Sequence, residues 1–229
     1  MSGIQPSEPP PNDMAWVLLL VVGYLLGSIP TGYLVARWVK GIDLRQYGSG
    51  TVSGSMVYEH VGRFWVVPVG LFDIAKGAIP AWLALYLGYG ETVAALAGLA
   101  AAVGHNWPIF LKFTGGRGTS PYLGIFLVLF PWGALWLLVF LGVGYALGDS
   151  APFNLAGLVS MPLLVWRLDG LPVLYWTIGV MLLITLTKRL DANRRPLPPA
   201  GAERRKVIWL RLMFDRDIQD HKAWIHRRL

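Results

Sequence analysis

Apolar residues in this chain run in long blocks rather than at the spacing of a helix that has one face in water. Met14 to Ala36 is mostly aliphatic, aromatic or glycine, and so is Phe64 to Leu87. At about 1.5 Å per residue, a helix of either length crosses the roughly 30 Å of hydrocarbon in a bilayer. Thr92 to Val103 is a shorter third block, expected as a tilted or partly re-entrant helix. Thr119 to Leu147 is too long for one simple span. Pro131 and Gly133 divide it into a short fourth and a longer fifth helix. Phe153 to Trp166 and Val173 to Thr187 complete the set. The pattern predicts an all-α polytopic membrane bundle of about seven transmembrane helices.

Composition sharpens that picture. Of 229 residues, 55% are hydrophobic and 14% charged, where a water-soluble domain carries about 25% charged residues. A soluble globule of this size cannot hide so much apolar side chain, and a disordered chain is far more polar. The absence of cysteine excludes a disulfide scaffold and a cysteine-ligated metal. The four histidines form no cluster with ligand spacing, so no metal site is expected.

The net charge of +7 has a pattern of its own. No Lys or Arg precedes Arg37, and twelve of the twenty lie from Lys188 onward. This asymmetry points to membrane topology and anionic lipid headgroups rather than to nucleic acid. With the C-terminus in the cytoplasm, the cytoplasmic segments hold eighteen of the twenty basic residues, including Arg37, Lys40, Arg45, Arg63, Lys112 and Arg117. Arg167 alone falls outside, and Lys76 lies within a helix. The expected orientation is N-terminus outside, C-terminus cytoplasmic. Residues 1–13 are Pro-rich and polar, read as a disordered tail without the basic start of a signal peptide. Residues 14–190 form the transmembrane domain and 191–229 a basic cytoplasmic tail. From Arg204 the tail mixes basic residues with Val207, Ile208, Trp209, Leu210 and Phe214. It is expected as an interfacial amphipathic helix, the alternative being a frayed segment held near lipid by charge alone.

Four features carry candidate chemistry. Gly48-Ser49-Gly50-Thr51-Val52-Ser53-Gly54-Ser55 crowds glycine and hydroxyls into eight residues. Such a loop either cradles an oxyanion with backbone N–H groups or is a plain linker. Gly104-His105-Asn106-Trp107-Pro108, followed by Thr114-Gly115-Gly116-Arg117-Gly118, offers a general base and a cation beside a helix start. His105 can equally be a satisfied hydrogen-bonding residue. Asp73 and Lys76 stand three apart in the second span. They are either a structural ion pair stitching the bundle or part of a site. Lys188, Asp191 and Arg194 add charges at the start of the tail, on the same side of the membrane as both loops. Three such elements suit a phosphorylated polar substrate at the lipid boundary.

On these residues the chain resembles the integral-membrane bacterial acyl-phosphate:glycerol-3-phosphate acyltransferases. The resemblance runs from Gly27 to Glu203. It includes Gly27-Ser28-Ile29-Pro30-Thr31-Gly32, Gly48-Ser49-Gly50, Asp73-Ile74-Ala75-Lys76-Gly77, and Gly104-His105 through Gly115-Gly116-Arg117-Gly118. It implies a seven-helix enzyme of the bacterial plasma membrane with its active site on the cytoplasmic face. That enzyme moves a fatty acyl group from acyl phosphate to glycerol 3-phosphate, giving lysophosphatidic acid for phospholipid synthesis, without cofactor or metal. It also implies Ser49 and His105 as catalytic residues. Gly50, Ser55, Gly115, Gly116, Arg117, Gly118, Lys188, Asp191 and Arg194 become substrate-binding residues, and Asp73 with Lys76 a structural ion pair. Several positions depart from the family pattern. Thr51, Ser53, Gly54, Ser55 and Met56 replace its Asn, Gly, Ala, Thr and Asn, and Glu59 stands where it has Arg. Arg117 replaces Lys, Lys188 replaces His, and Asp191 replaces Asn. These trades leave three readings: a rewired ion-pair network on the same substrate, a different acceptor, or a non-catalytic lipid-binding homologue.

Overall fold

The structure is a computed structural model that describes residues 14–192 and 195–228. The N-terminal tail of residues 1–13 and the candidate Arg194 lie outside the described residues. Secondary structure among the described residues is helical, apart from one isolated β-bridge. The bundle helices are α1 (Ala15–Gly27), α2 (Thr31–Lys40), α4 (Arg63–Tyr86), α5 (Gly90–Asn106), α6 (Thr119–Leu129), α7 (Pro131–Ala146), α8 (Ser150–Arg167) and α9 (Val173–Asp191). A short α3 (Gly54–His60) sits in the first loop, and α10 (Ala202–Phe214) and α11 (His221–His226) form the tail.

The bundle exposes apolar side chains and encloses buried charge beside its apolar core. Leu71 is 63% exposed on α4, whereas Asp73 and Lys76 two and five residues on are 3% and 1% exposed. That inversion is stable only where the surroundings are themselves apolar. Among the described residues four stretches are long and apolar enough to cross a membrane: Ala15–Lys40, Arg63–Tyr86, Gly90–Leu111 and Val173–Asp191. The fourth and fifth blocks separate as expected: Phe130 ends α6 and Pro131 opens α7, where its missing N–H costs nothing.

Two expectations need correction. The first block, Met14 to Ala36, is not one helix. It breaks at Ser28-Ile29-Pro30 into α1 and α2, because proline removes an N–H and crowds the preceding turn. The carbonyl of Ile29 at that break accepts hydrogen bonds from the Thr31 N–H at 3.0 Å and from Lys76 Nζ. A broken helix is tolerated in a membrane where a neighbour satisfies the freed backbone in this way. The third block is not short either. Helix α5 runs from Gly90 to Asn106, because Gly104, His105 and Asn106 are buried and stay helical.

Close backbone approach holds the bundle together. Gly23 and Gly27 of α1 lie against the carbonyls of Ala97 and Ala101 of α5, and Gly104 of α5 lies against the carbonyl of Tyr24. The α4–α6 contact is alike, with Gly77 on the carbonyl of Pro121 and Gly124 on the carbonyl of Ile74. Between helices in lipid, small residues of this kind supply the van der Waals contact that the hydrophobic effect does not. Gly124→Val should force α4 and α6 apart at a cost of about 1–3 kcal/mol. It should lower the melting temperature in detergent. Gly70→Ala on α4, where a Cβ meets no atom within 4 Å, should leave it unchanged.

Candidate active site

The first loop turns tightly at two glycines. Gly48 and Gly50 have φ of 47° and 68°, the left-handed region open to glycine, and Gly50 N–H closes the turn on the Tyr47 carbonyl at 2.7 Å. The turn buries Ser49, whose Oγ lies 2.5 Å from Thr51 Oγ1 and accepts the Thr51 N–H at 3.2 Å. Thr51 is 3.0 Å from Ser53 Oγ, and Ser53 is 3.0 Å from Ser55 Oγ. The four hydroxyls form one chain from the buried serine to the exposed Ser55. Hydroxyl chains of this kind relay polarisation, each donor strengthening the next acceptor.

The second loop folds back on the end of α5. Gly116 N–H donates to the His105 carbonyl at 2.9 Å, and a Cβ at Gly116 would strike the His105 ring at Nε2. Gly118, at φ 80°, starts α6 against the Asn106 side chain. Val52 N–H donates to the Gly115 carbonyl at 3.4 Å, which joins the two loops. The other edge of the imidazole faces α4, with Nδ1 3.7 Å from Asp73 Oδ1. Asp73 Oδ1 also accepts from Lys76 at 2.6 Å and from Thr31 of α2 at 3.1 Å. The Asp73–Lys76 pair therefore stitches the helices and also faces the ring of His105.

A cavity of about 850 Å³ opens between the loops and α8. His105, Asp73, Arg117 and Gly118 line it, with Ser53, Ser55 and Glu59 of the first loop on the same wall. Ser49 lies behind this wall, on a narrow pocket lined by Arg117, Arg195 and Asp217, and reaches the cavity through the hydroxyl chain. Arg117 NH1 donates to the Lys188 carbonyl at 2.9 Å, while its Nε is 2.9 Å from Asp215 Oδ2. Lys188 is buried, with Nζ 3.3 Å from Asp191 and 5.3 Å from the centre of the Trp107 ring. Trp107 Nε1 donates to Asp191 at 3.3 Å. Lys188 and Asp191 thus pair with each other at the edge of the second loop.

Sequence reasoning gave no role to Arg189, Arg195, Asp215 or Asp217. Arg189 is 3% exposed and donates to the carbonyls of Leu212 and Met213, which seats the end of α10. Burial pushes the Asp215 carboxyl up, against the pull of Arg117, Arg189 and Lys188. Burial acts the same way on Asp217, but hydrogen bonds and charge from Arg211 and Arg195 outweigh it and hold this carboxyl below the usual carboxylate range. The available signal was an alternation of Arg with Asp over residues 211–217, which no motif marks.

A lipid-facing bundle with a polar cavity and a histidine at one end defines an integral-membrane enzyme. Comparison with known proteins narrows the class. The family model described as glycerol-3-phosphate acyltransferase matches residues 17–195. Glycerol-3-phosphate acyltransferase 5 of Dehalococcoides mccartyi is 35% identical over 94% of each chain. A glycerol-3-phosphate acyltransferase of a Synechococcus species is 44% identical over 71% of this chain and 77% of its own. Crystal structures of PlsY (YgiH), an integral membrane glycerol 3-phosphate acyltransferase, superpose with TM-scores of 0.70 for its glycerol 3-phosphate form and 0.67 for its lysophosphatidic acid form. Identities are 30% and 29%, covering 79% of this chain and 91% of that one. The chain belongs to the glycerol-3-phosphate acyltransferase family, and it is an acyltransferase.

Gly116→Ala tests the contact between the second loop and His105. A methyl group on the imidazole must displace it. A shift of about 1 Å in a reacting group costs on the order of 10²-fold in rate. Acyl transfer should fall by about that factor, with the melting temperature within a few degrees of wild type.

Proposed function

We propose that this protein transfers a fatty acyl group from acyl phosphate to a hydroxyl of glycerol 3-phosphate, giving lysophosphatidic acid and inorganic phosphate for phospholipid synthesis. The observation that carries the reading is one cavity holding a histidine backed by a carboxylate together with Arg117. The Asp73 charge beside Nδ1 favours a proton there and leaves the Nε2 lone pair for the acceptor hydroxyl. The hydroxyl oxygen forms a bond to the acyl carbonyl carbon, its proton passes to the imidazole, and the carbon–oxygen bond to phosphate breaks. The guanidinium of Arg117 retains N–H donors beyond those facing Lys188 and Asp215, and these suit a phosphate oxygen. The Ser55 hydroxyl, on the cavity wall, supplies a donor for the oxyanion, while Gly50, its N–H held by the Tyr47 carbonyl, shapes the turn behind it. Gly115, Gly116 and Gly118 keep the second loop close enough for a phosphate to reach its backbone. Lys188 and Asp191 border that loop through Trp107 and Arg117. Phosphate is a good leaving group, so positioning supplies much of the rate.

The membrane placement extends the same reading. Seven crossings with the N-terminus outside put both loops, the cavity and the tail on the cytoplasmic face, beside the basic residues that favour it. Because the chain has no cysteine, single-cysteine variants report topology without background. In intact spheroplasts a membrane-impermeant maleimide should label Arg167→Cys and not Lys206→Cys. The opposite labelling would reverse the orientation.

For activity, purified protein is given palmitoyl phosphate and radiolabelled glycerol 3-phosphate. General acid–base residues contribute about 10²–10⁴-fold. His105→Ala should lose at least the lower factor, and Ser49→Ala should lose most activity while the bundle stays folded. Wild-type rates in both variants would remove the assignment.

A further inference from the structure

Residues 196–228 lie beyond the family match, which ends at 195, yet they reach the loop that carries Ser49. Contact falls on Gly48, the residue before the serine. Gly48 N–H donates to the Arg227 carbonyl at 2.8 Å, and the Gly48 carbonyl accepts from the Arg195 guanidinium. Tyr47 pairs with Arg228 in an antiparallel bridge. Ile225 comes so close that a Cβ on Gly48 would lie 2.8 Å from its carbonyl oxygen. Trp224 and Ile225 are buried in the apolar cluster that holds Val52, Met56 and Val57 of the same loop.

One carboxylate organises these contacts. Asp217 Oδ2 accepts from Arg195 at 3.1 Å and from Arg227 at 3.4 Å, and Oδ1 accepts from Arg211 at 2.7 Å. Arg211 is buried, and its other donors reach the carbonyls of Leu190 at 3.0 Å and Arg195 at 3.4 Å. The end of α9, the tail and the first loop thus meet on Asp217. Charge-assisted hydrogen bonds in a shielded network hold geometry better than an exposed ion pair does. Both partners of Gly48 depend on it: the Arg195 side chain on its carbonyl, and the Arg227 main chain on its N–H.

We infer that Asp217 is a positioning residue for acyl transfer: by holding Arg195 and Arg227 it fixes both backbone groups of Gly48, and with them the setting of Ser49. This role rests on the reading of Ser49 as part of the catalytic centre. Its effect falls on turnover rather than on substrate affinity, because Asp217 acts through the loop backbone and Arg117 is held by other groups.

The test uses the full-length protein in detergent with palmitoyl phosphate and glycerol 3-phosphate. Asp217→Asn keeps the shape and removes the charge. Its kcat should fall by about tenfold or more while KM for glycerol 3-phosphate stays within about threefold, as expected of a misplaced reacting group. Asp217→Glu should recover part of the loss. Deleting residues 227–229 removes the Gly48 acceptor and one guanidinium partner of Asp217 while leaving Asp217 with Arg195 and Arg211, and should lower kcat in the same way. Hydrogen exchange in Asp217→Asn should quicken over residues 47–51 while α4 and α5 keep their protection. Wild-type kcat in both Asp217→Asn and the deletion would overturn the inference. So would loss of protection across the whole bundle, which marks a merely structural role. Ser49→Ala run alongside separates the two readings. An active Ser49→Ala removes the assignment of Ser49 itself, whereas an inactive one beside fully active Asp217 and deletion variants removes only the role of Asp217.

Discussion

The arrangement at the end of the bundle depends on a buried ion pair, Asp73 with Lys76. Charges at this depth in a membrane are costly unless each is fully partnered. Here the partners come from the α1–α2 break, from α2 and from α5. Lys76 takes the carbonyl that the break at Pro30 exposes, Asp73 takes the Thr31 hydroxyl just after that break, and the imidazole of His105 faces the same carboxylate oxygen. The pair therefore pins the α1–α2 break to α4 and sets the imidazole of α5 against both. Removing either charge would leave the other buried and uncompensated, so the break, the pair and the histidine are maintained together.

That arrangement needs helices close enough for short side chains to reach across. The glycine contacts of α1 with α5 and of α4 with α6 bring backbones to a distance larger side chains would prevent. The same economy of volume continues into the second loop, where Gly116 leaves room for the His105 ring. Packing and chemistry share one requirement: the absence of a Cβ.

At the polar end the problem is reversed, since basic groups crowd together. Arg117, Lys188 and Arg189 gather within reach of one another's charge, and carboxylates from the tail and from α9 balance them. Asp215 faces Arg117 and Asp191 faces Lys188. An arginine in place of a lysine presents a planar fork rather than a point charge, so a carboxylate on one edge also sets its direction. The tail thereby becomes part of the wall behind Ser49 rather than an appendage in solvent.

The sequence by itself determined the class of protein. Block-like hydropathy, scarce charge and the placement of basic residues demand a membrane bundle, because no aqueous fold accommodates them. It also marked the two glycine-rich loops, Ser49, His105 and the Asp73–Lys76 pair, since their residue types carry chemistry that lipid-facing positions do not. Three things were decided only by tertiary structure. The docking of the Pro30 break onto α4 runs through Lys76 reaching the Ile29 carbonyl, forty-seven residues away. The separation of Ser49 from the wall of the main cavity depends on how a turn of two left-handed glycines is seated. The seating of the tail depends on Asp217 meeting Arg195, Arg211 and Arg227, up to twenty-two residues apart in the chain. Periodicity reports which face of a segment is apolar. It carries no information about which distant charge a charge will find, and that pairing shapes the catalytic end of this molecule.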